Sequence, residues 1–118
     1  MQFTETIHGN VPSKSNCYRV GVIRGRHTII KSAALDRYER NFYIQCKNRK
    51  AMITGYFSLT VKVFYPHQRA DLDNSLKVIL DCLQRAQVIA NDNKCVEIHA
   101  AKFLDREDPR VELEITEA

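Results

Sequence analysis

Apolar and polar positions alternate most clearly between Gly55 and Pro66. Phe57, Leu59, Val61, Val63 and Tyr65 fall on one side of an extended chain, and Ser58, Thr60 and Lys62 on the other. A period of two predicts a half-buried strand. The last segment repeats the pattern, with Val111, Leu113 and Ile115 set against Glu112, Glu114 and Thr116. Cys95 to Phe103 reads as another strand, with Val96, Ile98 and Ala100 on one face, and Gln2 to His8 alternates more loosely through Phe3, Glu5 and Ile7. Elsewhere the period lengthens. After Ser32, a suitable N-cap, Ala34, Leu35, Tyr38, Phe42 and Cys46 recur at steps of three and four, predicting a helix to about Arg49. Leu76, Ile79, Leu80 and Leu83 predict a second, from about Asp73 to Ala86. Tyr18 to Ile30 stays open between a hairpin turning at Arg24-Gly25-Arg26 and an irregular basic loop. Gly9 to Asn16, His67 to Ala70, Val88 to Asn93 and Asp105 to Pro109 are connections rich in turn-forming residues.

The order strand, helix, strand, helix, strand, strand predicts an α+β protein. The expected architecture is a mixed sheet of about four strands with two helices on one face, in a single domain over residues 1–118. No apolar run approaches the roughly 20 residues of a membrane span. The first ten residues do not read as a signal peptide, so no membrane partner and a cytoplasmic location are expected. Cys17, Cys46, Cys82 and Cys95 form neither a CxxC pair nor a zinc-spaced group with histidine, which predicts free, mostly buried thiols.

Charge changes the picture through its distribution. The net charge is +4, yet residues 1–50 hold ten Lys and Arg against three Asp and Glu, while residues 51–118 hold eight against eleven. A basic half beside an acidic half suits a protein that holds a polyanion and concentrates carboxylates elsewhere.

The acidic residues have a pattern of their own. In Asp71-Leu72-Asp73-Asn74, two carboxylates stand two residues apart where a loop enters a helix. An aspartate there can cap the helix and complement its dipole. Two crowded anions also suit a hard divalent cation such as Mg²⁺. The run is not an EF-hand, because Leu76 stands where that loop needs glycine and Cys82 where it needs its last glutamate. Lys77, four residues after Asp73 and four before Asp81, reads either as part of a surface ion-pair ladder or as a cation beside a phosphate. Asn91-Asp92-Asn93 reads as a turn unless the fold carries Asp92 back to Asp71 and Asp73. No Ser/His/Asp or Cys/His arrangement points to a covalent intermediate, and His67 reads as an ordinary loop histidine.

With Asp71-Leu72-Asp73-Asn74, Lys77, Asp81 and Asp92 in this order, the chain resembles the RusA family of Holliday junction resolvases. The loop through Pro12, Ser13, Asn16 and Tyr18 and the closing strand also match, the loop with an extra residue. The resemblance implies a homodimeric endonuclease that resolves four-way DNA junctions by paired symmetric nicks. It further implies that Asp71, Asp73 and Asp92 bind catalytic Mg²⁺, with Mn²⁺ as a substitute, and that Lys77 supports catalysis. Asn91 stands where relatives often carry a second acid, which suggests a weaker site or a different metal requirement. An acidic site repels DNA unless cations offset it, and the candidates are Lys14, Arg19, Arg24, Arg26, Lys31, Arg69 and Lys102. The alternative reading is a non-catalytic nucleic-acid-binding or structural dimer module of the same fold.

Overall fold

The alternating segments and the two amphipathic ones settle into one hydrophobic core. A computed structural model describes residues 2–13 and 17–118. Its elements are β1 (Gln2–His8), β2 (Tyr18–Ile23), β3 (Arg26–Lys31), α1 (Ala33–Gln45), β4 (Phe57–Tyr65), α2 (Leu72–Arg85), β5 (Cys95–Leu104) and β6 (Arg110–Glu117). Four strands form one sheet in the order β1-β6-β4-β5, and β2 and β3 form a separate two-stranded sheet. β6 pairs antiparallel with β1 and with β4, whereas β5 runs parallel to β4. The sheet is therefore mixed, as the element order predicts.

One face of this sheet is apolar and covered. Phe57, Leu59, Val61, Val63 and Tyr65 of β4 and Val111, Leu113 and Ile115 of β6 are buried against Leu35, Tyr38 and Phe42 of α1 and Val78, Ile79 and Leu83 of α2. The opposite face carries exposed or half-buried polar side chains such as Thr60, Lys62 and Glu114. β5 is an edge strand, and Val96, Ile98, Phe103 and Leu104 remain exposed on it.

Tyr18 to Lys31 resolves as a hairpin. Arg24 and Gly25 both take positive φ, 52° and 77°, and join β2 to β3 through two residues. That backbone twist matches the twist of the paired strands. The Ile30 side chain crosses Gly21 so closely that a Cβ there would lie 2.1 Å from its Cδ1, so a larger residue would make the end of Ile30 swing aside.

Ser32 caps α1 as expected, its side chain accepting from the Leu35 amide at 3.1 Å. The helix, however, ends at Gln45 instead of near Arg49. Cys46 is extended, and the buried Glu5 carboxylate of β1 accepts the Lys47 and Asn48 amides at 2.9 and 2.7 Å. These charge-assisted bonds outcompete another turn of helix, whose next carbonyls would serve the same amides less strongly. Glu5 thus fixes the end of α1 to β1. Replacing Glu5 by Ala removes both acceptors and leaves the turn without its anchor. We expect a loss of about 2–4 kcal/mol in unfolding free energy, read as a lower urea midpoint.

Candidate active site

The parallel pairing of β4 and β5 decides where the acidic residues stand. The chain leaves the end of β4 at Tyr65, returns the length of the sheet as α2, and enters β5 beside the start of β4. Asp71 and Asp73 precede and open α2, so they lie at one end of this unit. Asp92 precedes β5 and lies at the other.

At the first end, Asp71 occupies the N-cap position of α2, yet its side chain makes no capping hydrogen bond. Its carbonyl accepts from the Ser75 amide at 3.3 Å, so the backbone closes the first turn. Asp73 lies in that turn and accepts from the Asn74 amide at 2.9 Å. Both aspartates are exposed. Beneath them, Tyr65 and Ser75 share a buried hydroxyl–hydroxyl bond of 2.5 Å. Burial pushes the Tyr65 hydroxyl above its ordinary pKa against the lowering effect of Ser75, and the Asp71 and Asp73 charges add to the rise. The phenol therefore stays protonated and neutral under a negative rim. Lys102 reaches across from β5, its Nζ donating to the carbonyls of Gln68 and Ala70 at 3.4 and 3.2 Å. It braces the loop that presents Asp71. Arg69 is exposed in that same loop.

Lys77 follows one turn after Asp73. It is 72% exposed, and its ammonium lies 3.9 Å from Asp81, a loose contact. Burial raises the Asp81 carboxyl above its usual pKa, Lys77 opposes that rise, and Asp92 adds to it. Asp81 is thus in electrostatic range of Asp92, towards the far end of the helix.

Asp92 begins a short 3-10 turn, Asp92–Lys94. Its amide donates to Gln84 Oε1 at 3.0 Å. Gln84 stands eleven residues after Asp73 on α2, about 16 Å further along the axis at a rise of about 1.5 Å per residue. The chain therefore brings Asp71 and Asp73 together and keeps Asp92 away from them. No group of three or more His, Cys, Asp or Glu residues is arranged to hold a metal ion among the described residues. A parallel crossover separates its two connections by the length of the helix, so within one chain Asp92 stands about a helix length from the pair with which the resemblance groups it. Asn91 has a local task, its side chain accepting from the Asn93 amide at 3.0 Å.

The cations divide into two groups. Arg19, Arg24 and Arg26 are exposed on the hairpin, around and below its tip. Lys31, at its base, is tied to Glu39 of α1 at 2.9 Å, and Arg85 of α2 joins the same carboxylate at 3.1 Å. Lys31 therefore serves the fold as well as the surface. Lys14 lies outside the described residues. Glu39 was missed from the pattern, although it falls four residues after Leu35 and three before Phe42 on the apolar face of α1, where an acid needs a partner. A small cleft of about 180 Å³ between Tyr18, Lys31, Lys77 and Asp81 brings the hairpin base beside α2. A larger cleft, of about 710 Å³, opens between α1 and the start of α2 and has Asp71 in its wall. No periodicity announces it.

Comparison with known proteins bears on the same residues. The family model of endodeoxyribonuclease RusA matches residues 11–116. A stretch of 50 residues is 36% identical to the crossover junction endodeoxyribonuclease RusA of Aquifex aeolicus (strain VF5), covering 42% of this chain and 40% of that protein. The chain thus matches less than half the length of that relative. The family match takes in both helices, the hairpin, the Asp71–Asp73 rim, Lys77 and Asp92, and on it the chain belongs to the RusA family of endodeoxyribonucleases.

Proposed function

We propose that this protein is a metal-dependent endonuclease that cuts four-way DNA junctions by paired symmetric nicks, working as a homodimer whose copies complete each other's sites. The observation that carries the reading is the exposed pair Asp71 and Asp73 at the head of α2, with Asp71 uncommitted to capping that helix. Family membership supports the same chemistry.

If Asp71, Asp73 and Asp92 act on one ion, the parallel crossover requires a second chain, because the two ends of one unit cannot meet. A two-fold axis perpendicular to α2 and β5 reverses their ends, and such an axis carries the partner's Asp92 towards Asp71 and Asp73. The open edge of β5 and its exposed Ile98 and Leu104 support such a pairing, since a long unpaired edge invites another strand.

The donor set fits the proposed metal. Three carboxylates offer hard oxygen ligands suited to Mg²⁺, with Mn²⁺ as substitute. When bound, the ion supplies charge relief at the phosphate and acidifies water. The rest falls to the chain's own residues. Lys77, held only loosely by Asp81, turns its ammonium towards the reacting phosphate and offsets the charge that develops there. Lys102 holds the Asp71 loop in place. Arg19, Arg24, Arg26 and Arg69, with Lys14 and the partly committed Lys31, counter the repulsion between DNA and the acidic rim through phosphate contacts. The four cysteines are free thiols, which suits a reducing cytoplasm. No helix among the described residues is long and apolar enough to cross a membrane.

Purified protein and a labelled four-way junction test this directly. Asp71→Asn and Asp92→Asn each lower nicking by more than about 100-fold, since even changes behind metal ligands cost 10- to 100-fold, while gel-shift binding of the junction persists. Binding by the native chain without nicking in Mg²⁺ or Mn²⁺ supports the non-catalytic module instead, and no binding at low salt supports a structural dimer. Lys77→Ala lowers the cleavage rate by about 100- to 1,000-fold with little change in junction affinity. A parallel loss of binding and cleavage assigns Lys77 to holding the DNA or the fold.

A further inference from the structure

We propose that the larger cleft takes up one unstacked nucleotide of the junction, next to the phosphate that is cut. The inference rests on the nuclease reading and adds a binding site to it. The cleft's volume of about 710 Å³ lies within the roughly 300–1,000 Å³ typical of small-molecule sites. A duplex, whose major groove alone is roughly 12 Å wide, cannot enter it. A single nucleotide can.

The lining matches the parts of a nucleotide. Arg37 and Arg40 stand three residues apart on α1 and contribute to one wall, and Asp71 contributes to another. Arg40 already pairs with Asp36 at 2.9 Å, which leaves Arg37 as the main phosphate contact. Val11, Pro12 and Ile44 give apolar surface for the face of a base. Asn41 is oriented for its edge: Nδ2 donates to the His8 carbonyl at 3.0 Å and lies close against Gly9, where φ is +123° and a Cβ would sit 3.3 Å from it. An amide so fixed still offers its carbonyl oxygen and a second N–H. Tyr38 also lines the cleft, while its hydroxyl is buried beside Cys82 and Tyr65.

The substrate makes the step inexpensive. Extruding a base costs least where its surroundings are already loosened, and the pairs that flank an open branch lack a stacking neighbour on the branch side. With Asp71 in the cleft wall, the nucleotide held there adjoins the scissile phosphate. The cleft would then choose where along a junction the cut falls.

The test places the fluorescent adenine analogue aminopurine at successive positions around the branch and adds protein without divalent metal. We expect fluorescence to rise several-fold at one position on binding. Arg37→Ala and Asn41→Ala should both remove that rise and even out the choice among cleavage positions, with thermal unfolding checked for each. Arg37 is exposed, so its replacement leaves the fold intact even if Asn41→Ala does not. A junction that is bound and nicked with no rise at any position overturns the cleft proposal and leaves the nuclease reading standing. A rise that both variants retain also overturns it, because the unstacking then belongs to the branch. No nicking by the native chain in Mg²⁺ or Mn²⁺ sinks the nuclease reading and this inference with it.

Discussion

Everything about the acidic residues follows from the direction of one strand. Because β5 runs parallel to β4, the connection between them must travel the full length of the sheet, and α2 is that connection. The residues before the helix and those after it are therefore held apart by the helix itself. A hairpin joining β4 to β5 would have put both loops at one end. The crossover is not a soft feature, since β4 is buried in the centre of the sheet and α2 fills the core with Val78, Ile79 and Leu83. A site that needs both ends has to be closed from outside the chain.

Two buried carboxylates give this frame its fixed angles. Glu5 binds the turn after α1 to β1, and Glu39 gathers Lys31 from the hairpin and Arg85 from α2 onto α1. Buried acids without partners are strongly disfavoured, so Glu5 specifies where two separated segments must meet and Glu39 where three must. The hairpin is thereby seated next to Lys77 and Asp81 rather than left to swing, although its own strands carry exposed Val20 and Ile29. The base of the hairpin and the lysine on α2 thus belong to one surface.

Much of this was legible in the sequence. Strict alternation in β4 and β6 gave their core faces correctly because every second residue is apolar, and Ser32 marked the start of α1. The two-helix, mixed-sheet architecture followed from element order. Other features depend on contacts that no local pattern encodes. α1 ends early because Glu5, forty residues upstream, captures its next amides. The paired acids at Asp71 and Asp73 were visible as a motif, but the distance to Asp92 depends on whether β5 is parallel, which periodicity does not report. The cleft between α1 and α2 is likewise a consequence of packing, built from side chains such as Arg37 and Asn41 that look in isolation like ordinary helix surface.

The claim that two chains share each site has a direct test in mixed dimers. Chains carrying Asp71→Asn and chains carrying Asp92→Asn are unfolded together, refolded as a mixture, and assayed on a four-way junction in Mg²⁺. A shared site predicts that mixing restores nicking, since one of the two sites in each hybrid dimer regains a native Asp71, Asp73 and Asp92, and that the product is a single nick. A mixture as inactive as either variant alone, in a sample shown to contain hybrid dimers, contradicts it.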